Sequence, residues 1–256
     1  MSDDHLLYEV KNQTAFFTIN RKAQRNAISM ETVELFLGYL DRVEKDENVR
    51  VIAVTGAGDR AFCAGADLGS AAGGDIKTSA LQYARLIKRL AAFPKPTVAR
   101  VNGYCLAGGM GFMLACDIVI AREDAKFGTP EVNVGLWPMM IGALIFRNVL
   151  RKRAMEMVLL GKKLSAAEAV EMGLITRAVA PEHLDAEVGE ILEQLSQKSP
   201  IGMKLGKESF YAMADMPFED AVDYLAGRLA DVAATEDAVE GITAFIEKRK
   251  PDFKGK

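Results

Sequence analysis

The chain has 256 residues, half of them apolar, with a formal net charge of −3. That length holds one large domain, or one domain with an appendage, over a sizeable core. The charge offers no broad basic face for nucleic acid, no apolar run reaches bilayer length, and the acidic, polar Met1-Ser2-Asp3-Asp4-His5 does not read as a signal peptide.

Leu6–Val10 and Ala15–Ile19 read as two strands of a hairpin, followed by a polar, arginine-bearing loop over Asn20–Asn26. Apolar residues recur at helical spacing from Met30 to Val43, with Ser29 as N-cap. Val51–Thr55 is a strand. Strand, helix, strand in that order implies parallel pairing through crossovers. Ala61–Leu68 has small residues at 63–66, which let a ligand lie against bare backbone or simply make a tight turn. Ser70–Asp75 is Gly- and Ala-rich and is expected to be mobile. A helix then runs from Thr78 to Ala92 and stops at Pro94 and Pro96.

Asn102–Asp117 is the stretch the rest is organised around. A β-branched strand, Thr97–Val101, precedes it. An apolar helix, Phe112–Cys116, closes it, and Ala107, Gly108, Gly109 and Gly111 lie between. Glycines at such a turn allow close backbone approach. The first turn of a helix carries unpaired N–H groups that suit a forming oxyanion. The same residues would also serve merely to let elements pack closely. Ile118–Ala121 reads as a further strand. Glu131 then stands among small and apolar neighbours after Pro130, where a raised pKa would suit proton transfer at neutral pH. Pairing with an arginine such as Arg147 is the structural alternative.

The remainder reads as helices. Ile141–Val149 and Ala154–Leu160 are separated by Arg151-Lys152-Arg153, and Ser165–Glu168 is a capping box. Ile175–Val179 is a short strand, and helices follow over Pro181–Ser196, after Ser199-Pro200, over Asp220–Ala234 and over Glu236–Lys248. The shift to all-helical composition near residue 196 places a boundary between a core of residues 1–195 and a helical region of residues 196–256. Cys63, Cys105 and Cys116 lack metal-ligand spacing and read as buried thiols of a reducing cytosol, so a cytoplasmic location without a metal site is expected. His5 and His183 read as surface residues.

Five segments in order carry a resemblance to the crotonase, or enoyl-CoA hydratase/isomerase, family. They are Asn20–Ala27 (with Lys22 at the family's proline), Ala61–Leu68, Asn102–Asp117 (with Ala107 at the first glycine), Phe127–Gly135 and Ala244–Pro251. The resemblance implies an α/β fold, a spiral of ββα units, with a C-terminal helical region that makes trimers or dimers of trimers. It implies an acyl-CoA thioester as substrate, no separate cofactor, and an oxyanion hole made of the N–H groups of Ala66 and Gly108. Ala64, Ala66, Asp67 and Leu68, helped by Arg25 and Ala27, would receive the adenine and pantetheine. Phe245 and Lys248 of a neighbouring subunit would close over the nucleotide.

The family's hydratases carry two glutamates, and their positions fall on Gly111 and Glu131. Only the second is a carboxylate here. Losing one acid/base partner costs water addition typically 10²–10⁴-fold, whereas one carboxylate is enough to move a proton between two carbons. Double-bond isomerisation is therefore favoured over hydration, with Asp67 or a residue of Ser70–Lys77 as a possible second group. Other CoA thioester chemistry, and a non-catalytic acyl-CoA-binding oligomer, stay open.

Overall fold

The computed structural model describes residues 4–67 and 75–256. The hairpin forms as β1 (Leu6–Lys11) and β2 (Thr14–Ile19), antiparallel, with Leu6 opposite Ile19. After it come α1 (Met30–Lys45), β3 (Val51–Gly56), β4 (Ala61–Cys63) and α2 (Ile76–Ala91). Then follow β5 (Thr97–Val101), β6 (Tyr104–Leu106), α3 (Gly108–Leu114), β7 (Ile118–Arg122) and β8 (Lys126–Gly128). α4 (Met139–Asn148), α5 (Arg151–Leu160), β9 (Lys163–Ser165), α6 (Ala166–Glu171) and β10 (Arg177–Val179) complete the mixed part. α7 (Leu184–Ser196), α8 (Pro200–Met213), α9 (Phe218–Ala233) and α10 (Glu236–Ile246) end the described chain.

The strands divide between two sheets, ordered β1-β2-β3-β5-β7-β10 and β4-β6-β8-β9. Of the pairs β3–β4, β5–β6 and β7–β8, the first strand always enters the large sheet and the second the small one, and helical turns follow each pair. The large sheet is parallel from β2 onward. Its central strands are largely buried on both faces, which explains the apolar runs Val51–Val54 and Ile118–Ala121. Ile52, Val54, Ala99 and Val101 face the main core. The alternate residues Val51, Ala53, Val98 and Ile120 meet Leu184, Val188 and Leu192 of α7 on the other face. Each fully buried Val, Leu or Ile among them contributes about 1.5–3 kcal/mol.

Several expectations shift. Ala61–Cys63 is a strand rather than loop, and β6 intervenes before a helix that begins at Gly108, not Phe112. Arg151-Lys152-Arg153 is no separator but the first turn of α5. Cations in a first turn oppose the helix dipole, but their exposure to water keeps that cost small. Pro181–His183 is a separate 3-10 turn ahead of α7. The Ser165–Glu168 capping box and the Ser29 cap form as read, and the side chains of Ser199 and Thr235 cap α8 and α10. Past Ser196 the described elements are helices alone. The mobile segment expected at Ser70–Asp75 lies outside the described residues up to residue 74. Asp75 caps α2 by accepting from the Lys77 N–H at 3.0 Å.

Candidate active site

Three loops at the edge of the small sheet meet at one place. The first runs through residues 25–28 and the second through 64–67. Main-chain bonds stitch them together: Ala64 N–H donates to Arg25 C=O (3.1 Å), Ile28 N–H to Gly65 C=O (2.8 Å) and Asp67 N–H to Ile28 C=O (3.0 Å). Ile28 and Ala66 thus form a parallel bridge. In such a bridge the flanking residues of the second strand carry the bonds, so the N–H of Ala66 faces away from Ile28. Arg21 locks the pair of loops. Its guanidinium donates to Ala27 C=O (2.7 Å) and pairs with the Asp67 carboxylate (2.7 Å), both side chains mostly buried.

The third loop leads into α3. Ala107 adopts φ 50°, ψ −131°, a conformation glycine favours and alanine holds at a cost of about 1–3 kcal/mol. Its N–H donates to Gly128 C=O at 2.9 Å, which fastens it to the strand ahead of Glu131. Gly108 is the first residue of α3, so its N–H has no partner within the helix. The amides of residues 66 and 108 are close neighbours: a Cβ built on Gly108 would lie 3.7 Å from Ala66 N. Ala66 is exposed and Gly108 half-buried, so this wall is reachable from outside.

The glycines here differ in purpose. A Cβ on Gly109 would stand 2.2 Å from Cys63 C=O, so this one is a packing glycine. A Cβ on Gly111 would stand 2.2 Å from the Tyr83 hydroxyl. That hydroxyl donates to Gly108 C=O, and the ring sits edge-on to Phe112. Burial, with the Glu131 charge contributing, holds the Tyr83 pKa well above its ordinary value, so the group is a neutral donor.

Glu131 lies in the 3-10 turn Pro130–Val134 after β8. Burial raises its carboxyl above the usual carboxylate range, opposed by a bond from its own N–H. Its Oε2 is buried and has no hydrogen-bond partner among the described residues. The alternative pairing with Arg147 does not occur, since Arg147 binds Asp215 at 2.9 Å.

A family profile described as enoyl-CoA hydratase/isomerase matches residues 9–256. The chain belongs to the enoyl-CoA hydratase/isomerase family. It is 36% identical over 249 residues to a putative enoyl-CoA hydratase of Thermus thermophilus, covering 95% of this chain and 98% of that one. It is 34% identical over 255 residues to 2,3-dehydroadipyl-CoA hydratase of Escherichia coli, covering 98% and 99%. The crystal structure of an enoyl-CoA hydratase from Bacillus anthracis superposes with a TM-score of 0.94 at 31% identity, covering 98% of this chain and 100% of that one. The fold of this family member is accordingly the crotonase-type α/β spiral.

Of the residues singled out in the sequence, Arg25, Ala27, Ala64, Ala66, Asp67 and Gly108 come together, and Glu131 follows three residues after Gly128, whose C=O holds Ala107 N–H, near enough to Tyr83 to help raise its pKa. Leu68 lies outside the described residues. Asp67 is bound to Arg21, which does not suit it as a second proton-transfer group. Phe245 is 85% exposed at the end of α10, and Lys248 follows in a left-handed turn. α10 packs chiefly with α8 and α9. Sequence reading missed Arg21 and Tyr83. Tyr83 shares the buried face of α2 with Leu86, Ile87 and Leu90 and so reads as core. The one signal for it was the bare position at 111. The buried Cys63 thiol is pushed up to about 12, which makes it unreactive, and His5 bonds Ser29 Oγ at 2.6 Å as part of the α1 cap.

Proposed function

We propose that this enoyl-CoA hydratase/isomerase family member moves the double bond of an enoyl-CoA thioester. The thioester oxygen is received by the N–H groups of Ala66 and Gly108. Glu131 takes a proton from C2 of a 3-enoyl chain. The electron pair of that C–H bond flows toward the carbonyl, giving a dienolate whose oxygen charge the two amides hold. Glu131 then returns the proton to C4, leaving a 2-enoyl thioester. One such backbone donor is typically worth about 3–4 kcal/mol of barrier. The observation that carries this reading is the unpaired, buried Oε2 of Glu131 together with the absence of a side chain at Gly111.

Arg25, Ala27, Ala64, Asp67 and Leu68 line the entry for the CoA moiety in this reading, and no other cofactor is required. Phe245 and Lys248 reach the nucleotide from a neighbouring copy in a homotrimer or a dimer of trimers, with residues 196–256 as the assembly region. Exposed apolar side chains in that region, Phe210, Phe218, Leu229 and Ile242 among them, support assembly. Three unpaired, buried thiols suit a reducing cytoplasm.

Hydration of a 2-enoyl-CoA is the second reading, favoured by the names of the relatives, which are hydratases at 34% and 30% identity in two curated cases. The deciding experiment assays 3-enoyl-CoA isomerisation and 2-enoyl-CoA hydration side by side, with and without Glu131→Gln. Isomerisation should dominate and fall roughly 10²-fold or more in the variant, with KM nearly intact. Dominant hydration would replace the first reading with the second, and two unchanged rates would remove Glu131 from catalysis.

A further inference from the structure

Three atoms meet where a side chain at residue 111 would begin. A Cβ there would lie 2.2 Å from the Tyr83 hydroxyl, 2.8 Å from Ile141 Cγ2 and 3.1 Å from Ile87 Cδ1. The bare position is therefore filled, and filled by a phenol whose proton is already given to Gly108 C=O. The same hydroxyl is 3.6 Å from the Cβ that Gly108 would carry, on the wall that holds the two amides. Its high pKa keeps it from acting as a base.

We propose that Tyr83 decides the fate of the enolate, because it occupies with a committed, neutral hydroxyl the space from which a second carboxylate and a water held by it would work. This rests on the reading of Glu131 and the two amides as the active site. Hydration breaks a water O–H bond and forms C3–O and C2–H bonds, so it needs a placed water. Isomerisation breaks C2–H and forms C4–H with Glu131 carrying the proton between them, and it needs none. An ordered water requires two to four polar partners. Of the three nearest atoms, two methyl groups supply none, and the Tyr83 hydroxyl, its proton given to Gly108 C=O, offers only acceptor lone pairs. Tyr83 and Gly111 form an exchange pair: a carboxylate at 111 requires the tyrosine to leave.

The test measures initial rates of 2-enoyl-CoA hydration and 3-enoyl-CoA isomerisation for the full-length protein, Tyr83→Phe, Tyr83→Ala/Gly111→Glu and Glu131→Gln. The ratio of the two rates is the readout, because general damage lowers both together. The double variant should raise the ratio of hydration to isomerisation at least about tenfold, short of the roughly 10²-fold that a well-positioned acid/base group supplies at the low end. Tyr83→Phe should raise it by less. A ratio that is unchanged in a double variant that melts cooperatively overturns the proposal. So does a fall in Tyr83→Phe, which would make the hydroxyl a holder of water rather than its excluder. If the double variant does not fold, Tyr83→Phe alone decides, a rise supporting the proposal and an unchanged or lower ratio refuting it. Intact rates in Glu131→Gln would instead strike down the underlying site reading.

Discussion

Gly108 and Gly109 are adjacent, yet adding a methyl group to each should have opposite consequences. At 109 the methyl would stand 2.2 Å from Cys63 C=O and 2.9 Å from Cys63 Cβ, both on β4. Backbone cannot yield as a side-chain tip does, so α3 must move off the small sheet. Overpacking of this severity costs about 3 kcal/mol, which in a domain of this size lowers the melting temperature by roughly 6–12 °C. At 108 the nearest atoms are Ile28 Cδ1 at 3.1 Å, the Tyr83 hydroxyl at 3.6 Å and Ala66 N at 3.7 Å. Only the flexible end of Ile28 has to give, by a few tenths of an ångström, so the fold should lose about 1 kcal/mol or less. The methyl would nevertheless stand on the wall between the two amides, where a thioester oxygen must come to roughly 2.7–3.1 Å of both nitrogens. Losing one donor costs about 10²–10³ in kcat. Thermal melts and steady-state kinetics on Gly108→Ala and Gly109→Ala therefore separate packing from chemistry. A Gly108→Ala protein that turns over at the wild-type rate would refute the placement of the oxyanion, whatever its stability.

Three further outcomes are expected. Glu131→Gln should stabilise the protein by about 1 kcal/mol or less at neutral pH, since it replaces a buried carboxylate charge, whose Oε2 has no partner among the described residues, by a neutral amide of the same shape. Burial raises this carboxyl in the folded state, so ionisation penalises folding. The variant's advantage is present above the folded pKa, shrinks as pH falls through it and vanishes below the unfolded value. Melts across that range check this, and wild-type kcat/KM should rise with pH through the same raised pKa because the base form is needed. Ala107→Gly should leave turnover unchanged and raise stability, by about 1 kcal/mol of relieved backbone strain less the entropy glycine adds to the unfolded chain. A clear loss in the melt would show that Ala107 is not strained. Lys248→Ala should weaken CoA binding more than it slows bound substrate, as a titration with CoA set against kcat would show. Unchanged affinity would take this tail out of the site.

Much of this arrangement was legible in the residues, for identifiable reasons. β3 and β7 announce themselves as runs of branched or small apolar residues, and β5 does so through its β-branched Thr97, Val98 and Val101 despite Arg100. α1 announces itself through Ser29 and its periodic face. β6, β8 and β9 did not, because three residues are too few to display alternation, and their pairing is set by distant partners such as Cys105 with Phe127. Ala66 and Gly108 were named through the resemblance of Ala61–Leu68 and Asn102–Asp117 to family segments, and the small residues there agree with a proposed site built from main-chain N–H groups. Arg21 could not be singled out, since its role depends on which of several loop arginines reaches Asp67, a matter of three-dimensional closure. Tyr83 was hidden more thoroughly. On a helix wheel it is one more large residue on the buried side of α2, and only the folded chain shows that its tip ends where residue 111 has no side chain.

The meeting of Tyr83 with Gly111 bears on how a single spiral can serve several reactions. In the proposed reading the groups that hold the oxyanion are amides, fixed by the bridge between Ile28 and Ala66 and by the start of α3, and side-chain substitution leaves them in place as long as it stays small. The course of the enolate is then left to the few side chains that look onto it. Among the described residues the proposed ones are one carboxylate, Glu131, whose buried Oε2 has no partner there, and one phenol, Tyr83, that takes the room of a side chain at 111. A change of reaction in such a site needs no new backbone, only a coordinated exchange of two neighbours. Gly111→Glu by itself should therefore depress both activities, since its Cβ would meet the Tyr83 hydroxyl, whereas the same change made after Tyr83 has been shortened should favour water addition. If Gly111→Glu alone raised hydration, the tyrosine would have to be free to move aside, and its bond to Gly108 C=O could not be the constraint described here.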